Sequence, residues 1–469
     1  MPYRVPQHID NNKIFIVQRS EIEGRLEAEF YKPSIANLEK TIRKKSSHKL
    51  CDYAHSISGG ATPKKTEGDK YYADKETGIP FLRVQNLNTD GSLSLDDCLY
   101  INKETHEGML SRSQVSEGDL LVKITGVGRM AIASVAPEGF VGNTNQHMVV
   151  IKTGNAETSK YLARYLNLDI VEKIASRHST GGTRPALDYP SVKNLPIIES
   201  IDFSPIDRAI ELKRQKESEA QQLLDSIDAY ILNELGITLP EIKTDLKSRM
   251  FLVNRSELEE RLDPTVYKDG TKLISSLFEN VKLSNVAFVN PSGAYKGKAI
   301  ETPISFIPME VIDEVYSEIS STEETTIADS SGFTKFKEGD LLWAKITPCM
   351  QNGKSAIARN LTNGLGCGST EFFVLRPKDE RLSVEYLHVI LHLKCVRETA
   401  MLYFGGSAGQ QRVSTSFLEN FNLPLPSLEK QLEMANHIYA IRQKAKQLQE
   451  EGKTILENAK KEVEQMIIG

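Results

Sequence analysis

A chain of 469 residues, 39% hydrophobic and 26% charged, is long enough for more than one core at roughly 100 to 200 residues per domain and has the balance of a globular protein. With 58 basic against 63 acidic residues, a net charge of -5, it lacks the basic excess of a protein that grips phosphates unaided; nucleic-acid contact would need a local patch or a basic partner. A mean hydropathy of -0.34, with no run of about 18 apolar residues, excludes a spanning helix.

The start, MPYRVPQHIDNNK, has no apolar stretch behind a basic head, which predicts a cytoplasmic chain with no membrane contact. Ile14 to Lys32, IFIVQRSEIEGRLEAEFYK, aligns without gaps to Met250 to Lys268, MFLVNRSELEERLDPTVYK, with ten of nineteen positions identical. An internal repeat is therefore the first fact of the architecture.

Downstream, the first copy predicts strands at Ile79 to Leu87, Asp119 to Thr125, Met130 to Val135 and His147 to Lys152, then a helix over Lys160 to Ala175. The second predicts strands at Leu341 to Ile346, Ser355 to Arg359 and Glu371 to Leu375, then a helix over Ser383 to Thr399. Shared landmarks recur in one order: Glu-Gly-Asp-Leu-Leu at 117 and 338, Lys-Ile-Thr at 123 and 345, Ala-Ile-Ala at 131 and 356, Gly-Gly at 181 and 405, Asn-Leu-Pro at 194 and 422. Each half thus reads as an α+β domain on a small mixed sheet. Asp119 and Asp340, just before a strand, read as turn caps rather than catalytic acids.

Each copy closes on an amphipathic helix. Over Pro205 to Leu235, Ile206, Ile210, Leu223, Leu224, Ile227, Ile231 and Leu235 recur at three- and four-residue spacings, with Ser204 as N-cap and Gly236 as stop. Leu428 to Ile467 repeats the pattern, with Gly452 as a weak point. At 1.5 Å per residue these span roughly 45 and 60 Å, and their mixed charges suit spacers packed antiparallel better than a DNA-gripping surface.

Catalytic signatures are missing. There is no phosphate-binding G-x-x-x-x-G-K-[ST], no H-E-x-x-H, no G-x-S-x-G, no calcium loop, and neither a cofactor-binding glycine motif after a strand nor an Asn/Asp-Pro-Pro-aromatic tetrapeptide. Cys51, Cys98, Cys349, Cys367 and Cys395 are scattered and predicted to be free thiols. His388 and His392 share a helix face among apolar neighbours and are read as packing residues, with no metal.

Several stretches together resemble the specificity subunit of type I restriction-modification enzymes: RLEAEFYKP at Arg25 to Pro33, FLRVQNL at Phe81 to Leu87, GDLLWAKITPCMQNGKSAIA at Gly339 to Ala358, GLGCGSTEFFVLRP at Gly364 to Pro377 and NLPLPSLEKQ at Asn422 to Gln431. The resemblance implies two target-recognition domains related by a pseudo-two-fold, at residues 1–200 and 244–426, joined by two long antiparallel spacer helices at 201–243 and 427–469. It implies a non-catalytic reader of double-stranded DNA, each domain reading half of a bipartite asymmetric site. The implied partners are two modification (methyltransferase) subunits and restriction/translocase subunits. No cofactor belongs to this chain, S-adenosylmethionine being expected in the modification subunits. The rival expectations are a methyltransferase or nuclease with obscured motifs, and an interaction scaffold without DNA.

Base edges and phosphates call for polar side chains on loops. The candidates in the first copy are Arg83, Gln85, Asn86, Lys123, Thr125, Arg129, Asn145, Gln146, Thr183 and Arg184. In the second they are Lys345, Thr347, Gln351, Asn352, Lys354, Thr370, Gln410, Gln411 and Arg412. The first copy lacks the Pro-Cys-Met-Gln-Asn-Gly insertion of the second and has Asn143 to Gln146 where the second has Gly368 to Glu371, so the halves are expected to read different sequences. Lys123 and Lys345, each followed by Ile-Thr, are expected to share one task, phosphate contact.

Overall fold

Strand order decides the question of a repeat. A computed structural model of the chain describes residues 10–239, 252–253, 255, 264–269, 272–406 and 410–469. These group into two units, Met1–Gln215 with Glu451–Gly469, and Lys216–Glu450. In the first unit the strands are β1 (His48–Lys49), β2 (Ser56–Gly59), β3 (Ile79–Leu82), β4 (Leu99–Ile101), β5 (Gln114–Ser116), β6 (Leu120–Lys123), β7 (Ala133–Val135), β8 (Val141–Thr144), β9 (Met148–Lys152) and β10 (Pro196–Ile197). They form sheets in the orders β2-β9-β6-β7 and β4-β3-β8-β5, with β1 beside β10.

The second unit contains β11 (Asn280–Lys282), β12 (Ala287–Val289), β13 (Pro303–Ile307), β14 (Glu323–Thr326), β15 (Thr334–Lys337), β16 (Leu341–Ala344), β17 (Ser355–Ile357), β18 (Leu365–Gly368), β19 (Phe372–Pro377), β20 (Phe404–Gly405), β21 (Arg412–Val413) and β22 (Asn422–Pro424). Its orders, β12-β19-β16-β17 and β14-β13-β18-β15 with β11 beside β22, repeat the first unit strand for strand, and a β20-β21 hairpin is added. Even the one parallel pairing recurs, β3 with β8 and β13 with β18. Each unit is α+β, with two four-stranded sheets where the sequence suggested one.

Packing on both faces explains why the central strand is apolar up to its last residue. Leu120 and Val122 face a core shared with the helices, while Leu121 faces the second sheet. Leu341 and Trp343 against Leu342 divide the same way. A strand covered on both faces cannot alternate with polar residues. The Glu-Gly-Asp turn before it is built identically twice. Gly118 and Gly339 hold φ of 79° and 82°, the left-handed turn position glycine occupies without steric cost. Asp119 accepts from the Ser116 amide at 2.8 Å and Asp340 from the Lys337 amide at 2.8 Å. Asp119 then pairs with Lys152 at 2.9 Å, and the fully buried Asp340 with the Arg376 fork at 2.6 and 2.7 Å. Both aspartates are turn caps, as their position before a strand predicts.

Two predicted helices are each two. Ala156–Leu166 and Asp169–His178 are separated by Leu168 at ψ 146°, and Val384–His392 and Lys394–Met401 by Leu393 at ψ 138°. Both leucines are buried; their side chains hold a corner that apolar periodicity alone does not reveal. His388 Nε2 lies 3.0 Å from Ser355 Oγ and His392 Nε2 3.3 Å from the Glu314 carbonyl, with no cluster of three potential metal ligands among the described residues. The five cysteines are free, and no described helix is long and apolar enough to cross a membrane.

The long helices run over Ser204–Glu234 and Leu428–Ile468. Ser204 is inside the first rather than capping it, because Asp202 accepts from its amide at 2.9 Å and from its hydroxyl at 3.0 Å. Gly236, at φ 61°, ends that helix with its amide on the Asn233 carbonyl and the Ile237 amide on that of Leu232, a paired closure of the last turn. Within the second unit the helices pack antiparallel: Ala220 meets Ala445 and Leu448, while Glu234 pairs with Lys430 at 2.6 Å. Ile227 and Ile231 are buried in that unit's core with Met434 and Ile438. Within the first unit, Ile206 and Ala209 share a core with Leu456, Ala459 and Val463. A Cβ at Gly452 would stand 3.4 Å from Lys213 Cα, so this glycine marks a close approach of two backbones as well as a weak helix former.

Arg25 and Tyr31 of the repeated opening segment tie it down. Tyr31 donates to the Arg25 carbonyl at 2.8 Å, and Arg25 Nη2 donates to the Ser179 carbonyl at 2.8 Å. Beside them Glu39, 3% exposed, accepts from His178 at 2.9 Å and Arg43 at 2.8 Å and pairs with Arg177. Burial pushes the Glu39 carboxyl up, but these partners outweigh it and hold it at about 2. The second copy of this segment, Met250 to Lys268, and the 243/244 boundary lie wholly or mostly outside the described residues.

Candidate nucleic-acid interface

In each unit three loops meet at the C-terminal end of the central strand. After β6, the Ile124 and Thr125 amides donate to the His147 carbonyl in the β8–β9 turn, at 2.9 and 3.3 Å. On the other side Thr125 bridges to Ala186, and the Gly126 amide donates to the Pro185 carbonyl at 3.0 Å. After β16, the Lys345 amide donates to Glu371 at 2.9 Å in the β18–β19 turn, Ile346 bridges to Arg412, and the Thr347 amide donates to Gln411 at 3.0 Å. Gly181 and Gly406 bend the third loop, at φ 99° and 108°. The frame is the same; the side chains it presents differ.

In the first unit Gln85, Gln146, Thr183 and Arg184 are exposed and Thr125 is half-buried. The other candidates there are engaged within the unit. Asn86 accepts from the Arg83 amide at 2.7 Å and donates to Ser94 at 2.9 Å; Arg83 donates to the Asp97 carbonyl at 2.5 Å. Arg129 pairs with Asp169 and donates to the Asn167 carbonyl at 2.6 Å. Asn145, buried, accepts from the His147 amide at 3.1 Å.

In the second unit Asn352, Thr370, Gln410 and Arg412 are exposed, and Lys345, Thr347, Gln351, Lys354 and Gln411 are half-buried. Thr347 donates to Gln351, Asn352 to Glu314 at 3.1 Å, and Lys354 to the Met309 carbonyl at 3.2 Å. Arg412 grips Glu371 through two contacts of 2.8 Å, which lowers the Glu371 carboxyl from its ordinary value.

The equivalence of Lys123 and Lys345 does not survive. By strand register Leu120 and Leu341 correspond, as do Leu121 and Leu342, which sets Lys123 opposite Met148 where Ala344 stands opposite Phe372. Lys345 occupies the position of Ile124, one residue on and on the other face. Lys123 is 3% exposed, its ammonium donates to the Val127 carbonyl at 2.7 Å, and burial lowers its pKa. Lys345 lies half-buried with its ammonium 5.5 Å from the Phe373 ring centre.

Sequence reasoning missed Lys296 and Lys335. Together with Lys345 they line a groove of about 560 Å³ that also contains Tyr295, Phe333 and Phe372. The available signal for Lys335 was alternation along Thr334-Lys335-Phe336-Lys337, which sets Lys335 and Lys337 on the face opposite the buried Phe336.

Residues 276–458 match the family described as the Type I restriction modification DNA specificity domain. The specificity subunit of the type I restriction enzyme EcoEI from Escherichia coli is 32% identical over 193 residues, 40% of this chain and 32% of its own length. The EcoAI specificity subunit from the same organism is 32% identical over 212 residues, 45% of this chain and 34% of its own. The chain thus spans about a third of the length of the curated relatives it matches. Among solved structures, the HsdS subunit from Thermoanaerobacter tengcongensis aligns at a TM-score of 0.33 and 14% identity, covering 88% of this chain and 95% of that one.

Proposed function

We propose that the chain is the sequence-reading subunit of a type I restriction-modification complex, because residues 276–458 match the family described as the Type I restriction modification DNA specificity domain. Each unit reads one half of a bipartite asymmetric site in double-stranded DNA. The observation that carries this reading is the loop cluster built twice on one hydrogen-bonded frame with different side chains, which is what two readers of different sequences need. The exposed Gln85, Gln146, Thr183, Arg184, Thr370 and Gln410 are the proposed base readers, with Thr125, Thr347, Gln351, Asn352, Gln411 and Arg412 beside them. Arg83, Asn86, Arg129, Asn145 and Lys354 position the loops.

The chain itself is non-catalytic in this reading. Two modification subunits supply S-adenosylmethionine and the methyl transfer, restriction/translocase subunits complete the assembly, and the complex works in the cytoplasm. Mapping methylated sequences in cells with and without the chain tests the proposal. Exchanging Pro33 to Pro190 for the matching segment of another specificity subunit is expected to change one half of the methylated sequence and leave the other. A change in both halves together defeats the two-reader reading.

A further inference from the structure

We propose that the second unit carries a phosphate-gripping groove, made by Lys296, Lys335 and Lys345, of which Lys335 and Lys345 have no charged counterpart at the matching strand positions of the first unit. A duplex would then be held electrostatically at one half-site more than at the other. The inference rests on the DNA-reading function proposed above and adds where the salt-sensitive grip is located.

Lys296 and Lys335 are exposed, Lys345 is half-buried, and none has an ion-pair partner among the described residues. Their positions are fixed from beneath. Asn290 pins the start of the Lys296 loop to β19, its amide on the Val374 carbonyl at 2.7 Å and its side-chain oxygen accepting from the Val374 amide at 3.1 Å. Tyr295 donates to the Gly366 carbonyl at 2.7 Å, and its ring centre lies 5.4 Å from the Lys335 ammonium. The Lys345 ammonium is similarly 5.5 Å from the Phe373 ring centre. Rings beside Lys335 and Lys345 hold those two charges in place without neutralising them. The nearby Glu371 is gripped by the Arg412 fork, which is the first cause of its lowered carboxyl pKa, with a smaller contribution from the Lys345 charge.

Three ammonium groups without a planar fork suit phosphate oxygens as point charges and are poor readers of base edges. In the first unit the loop after β2 carries Lys64, eight residues past Ser56 as Lys296 is eight past Phe288, but Lys64 lies 4.0 Å from Glu67, and the two strand lysines are replaced. Register puts Gln114 where Lys335 stands, and Ile124 in place of Lys345. Gln114 donates to the His106 carbonyl at 3.1 Å, and Ile124 is buried.

The test titrates the full chain, in the complex it forms in cells, against a duplex carrying its mapped methylation sequence and a scrambled duplex of equal length. The Lys296→Gln, Lys335→Gln, Lys345→Gln triple variant is expected to flatten the dependence of log affinity on log salt by roughly 2 to 3 on both duplexes. The wild-type advantage then shrinks about 40-fold between 50 and 200 mM salt, at a slope of about 0.9 per phosphate. Replacement of the same three by Arg restores the slope, and removal of three exposed lysines elsewhere, Lys40, Lys444 and Lys461, leaves it unchanged. Should the triple variant melt early, Lys335→Gln alone serves, with a slope change of about 0.9. An unchanged slope in a folded variant, or a loss confined to the specific duplex, overturns the groove. A wild-type complex that treats the two duplexes alike overturns the underlying DNA-reading function instead.

Discussion

The loops that leave β6 and β16 start from one turn and diverge within four residues. In the first unit the strand ends on a lysine that folds inward and closes its own loop on Val127. In the second the same position is Ala344, and the lysine comes one residue later, half-buried beside Phe373. Backbone hydrogen bonds from this loop to the neighbouring turn and to the third loop recur in both. A frame held by main-chain contacts can therefore exchange its side chains freely, and with a side-chain period of two, one step along the strand turns a charge to the other face of the sheet.

The sharpest way to break the comparison is at the turn both units share. Asp340 is wholly buried against the Arg376 fork, whereas Asp119 meets a Lys152 whose side chain is 41% exposed. Asp340→Ala strands a guanidinium and the Lys337 amide, and is expected to cost about 3 to 5 kcal/mol. Asp119→Ala leaves a lysine that can swing into water and is expected to cost about 1 to 2 kcal/mol. Urea unfolding of the two variants checks this; equal losses would mean the turns are not loaded differently.

A second effect belongs to the first unit. Glu39 is held at about 2 in the fold against an ordinary 4.5, so the unfolded chain binds its proton first on acidification. Its contribution, of order 3 kcal/mol, is complete above about pH 5 and falls away as pH drops from 4.5 toward 2. Glu39→Gln should accordingly melt early at pH 7 and approach wild type near pH 2 to 3. A difference that did not depend on pH would show that packing, rather than charge, is what Glu39 contributes.

These sites also show what the sequence could disclose. The Glu-Gly-Asp turns, the apolar central strands and the long helices were legible because each is local: a positive-φ glycine, a two-sided strand, a stripe at helical spacing. The corners at Leu168 and Leu393 were not, since a buried leucine in extended backbone looks like one more apolar position in a helix. The loop cluster was half legible. Its glycine pairs and polar residues stood out, but Lys296 and Lys335 reach Lys345 only through the pairing of β15 with β18 and of β12 with β19. The Lys-Ile-Thr identity misled because aligned letters do not report register, and only the pairing opposite Met148 and Phe372 does.

The smallest effect sharpens that last distinction. Lys123 keeps its charge in a buried place, where lowered pKa records the cost of burial and a single carbonyl compensates it. Lys123→Met removes both the cost and the bond, so the two terms oppose, and the net change in stability is expected to stay within about 1 kcal/mol. Since the pKa is depressed, the wild-type lysine is a stability cost that eases as pH rises through that depressed value, because the unfolded chain still binds the proton there while the fold releases it. The difference between variant and wild type should accordingly shift toward wild type at alkaline pH. In DNA binding by the assembled complex, Lys123→Met is expected to leave the salt slope unchanged while Lys345→Gln lowers it by about 0.9. A slope change at Lys123 matching that at Lys345 would restore the equivalence that register denies, and would require the Val127 loop to open so that this lysine turns outward.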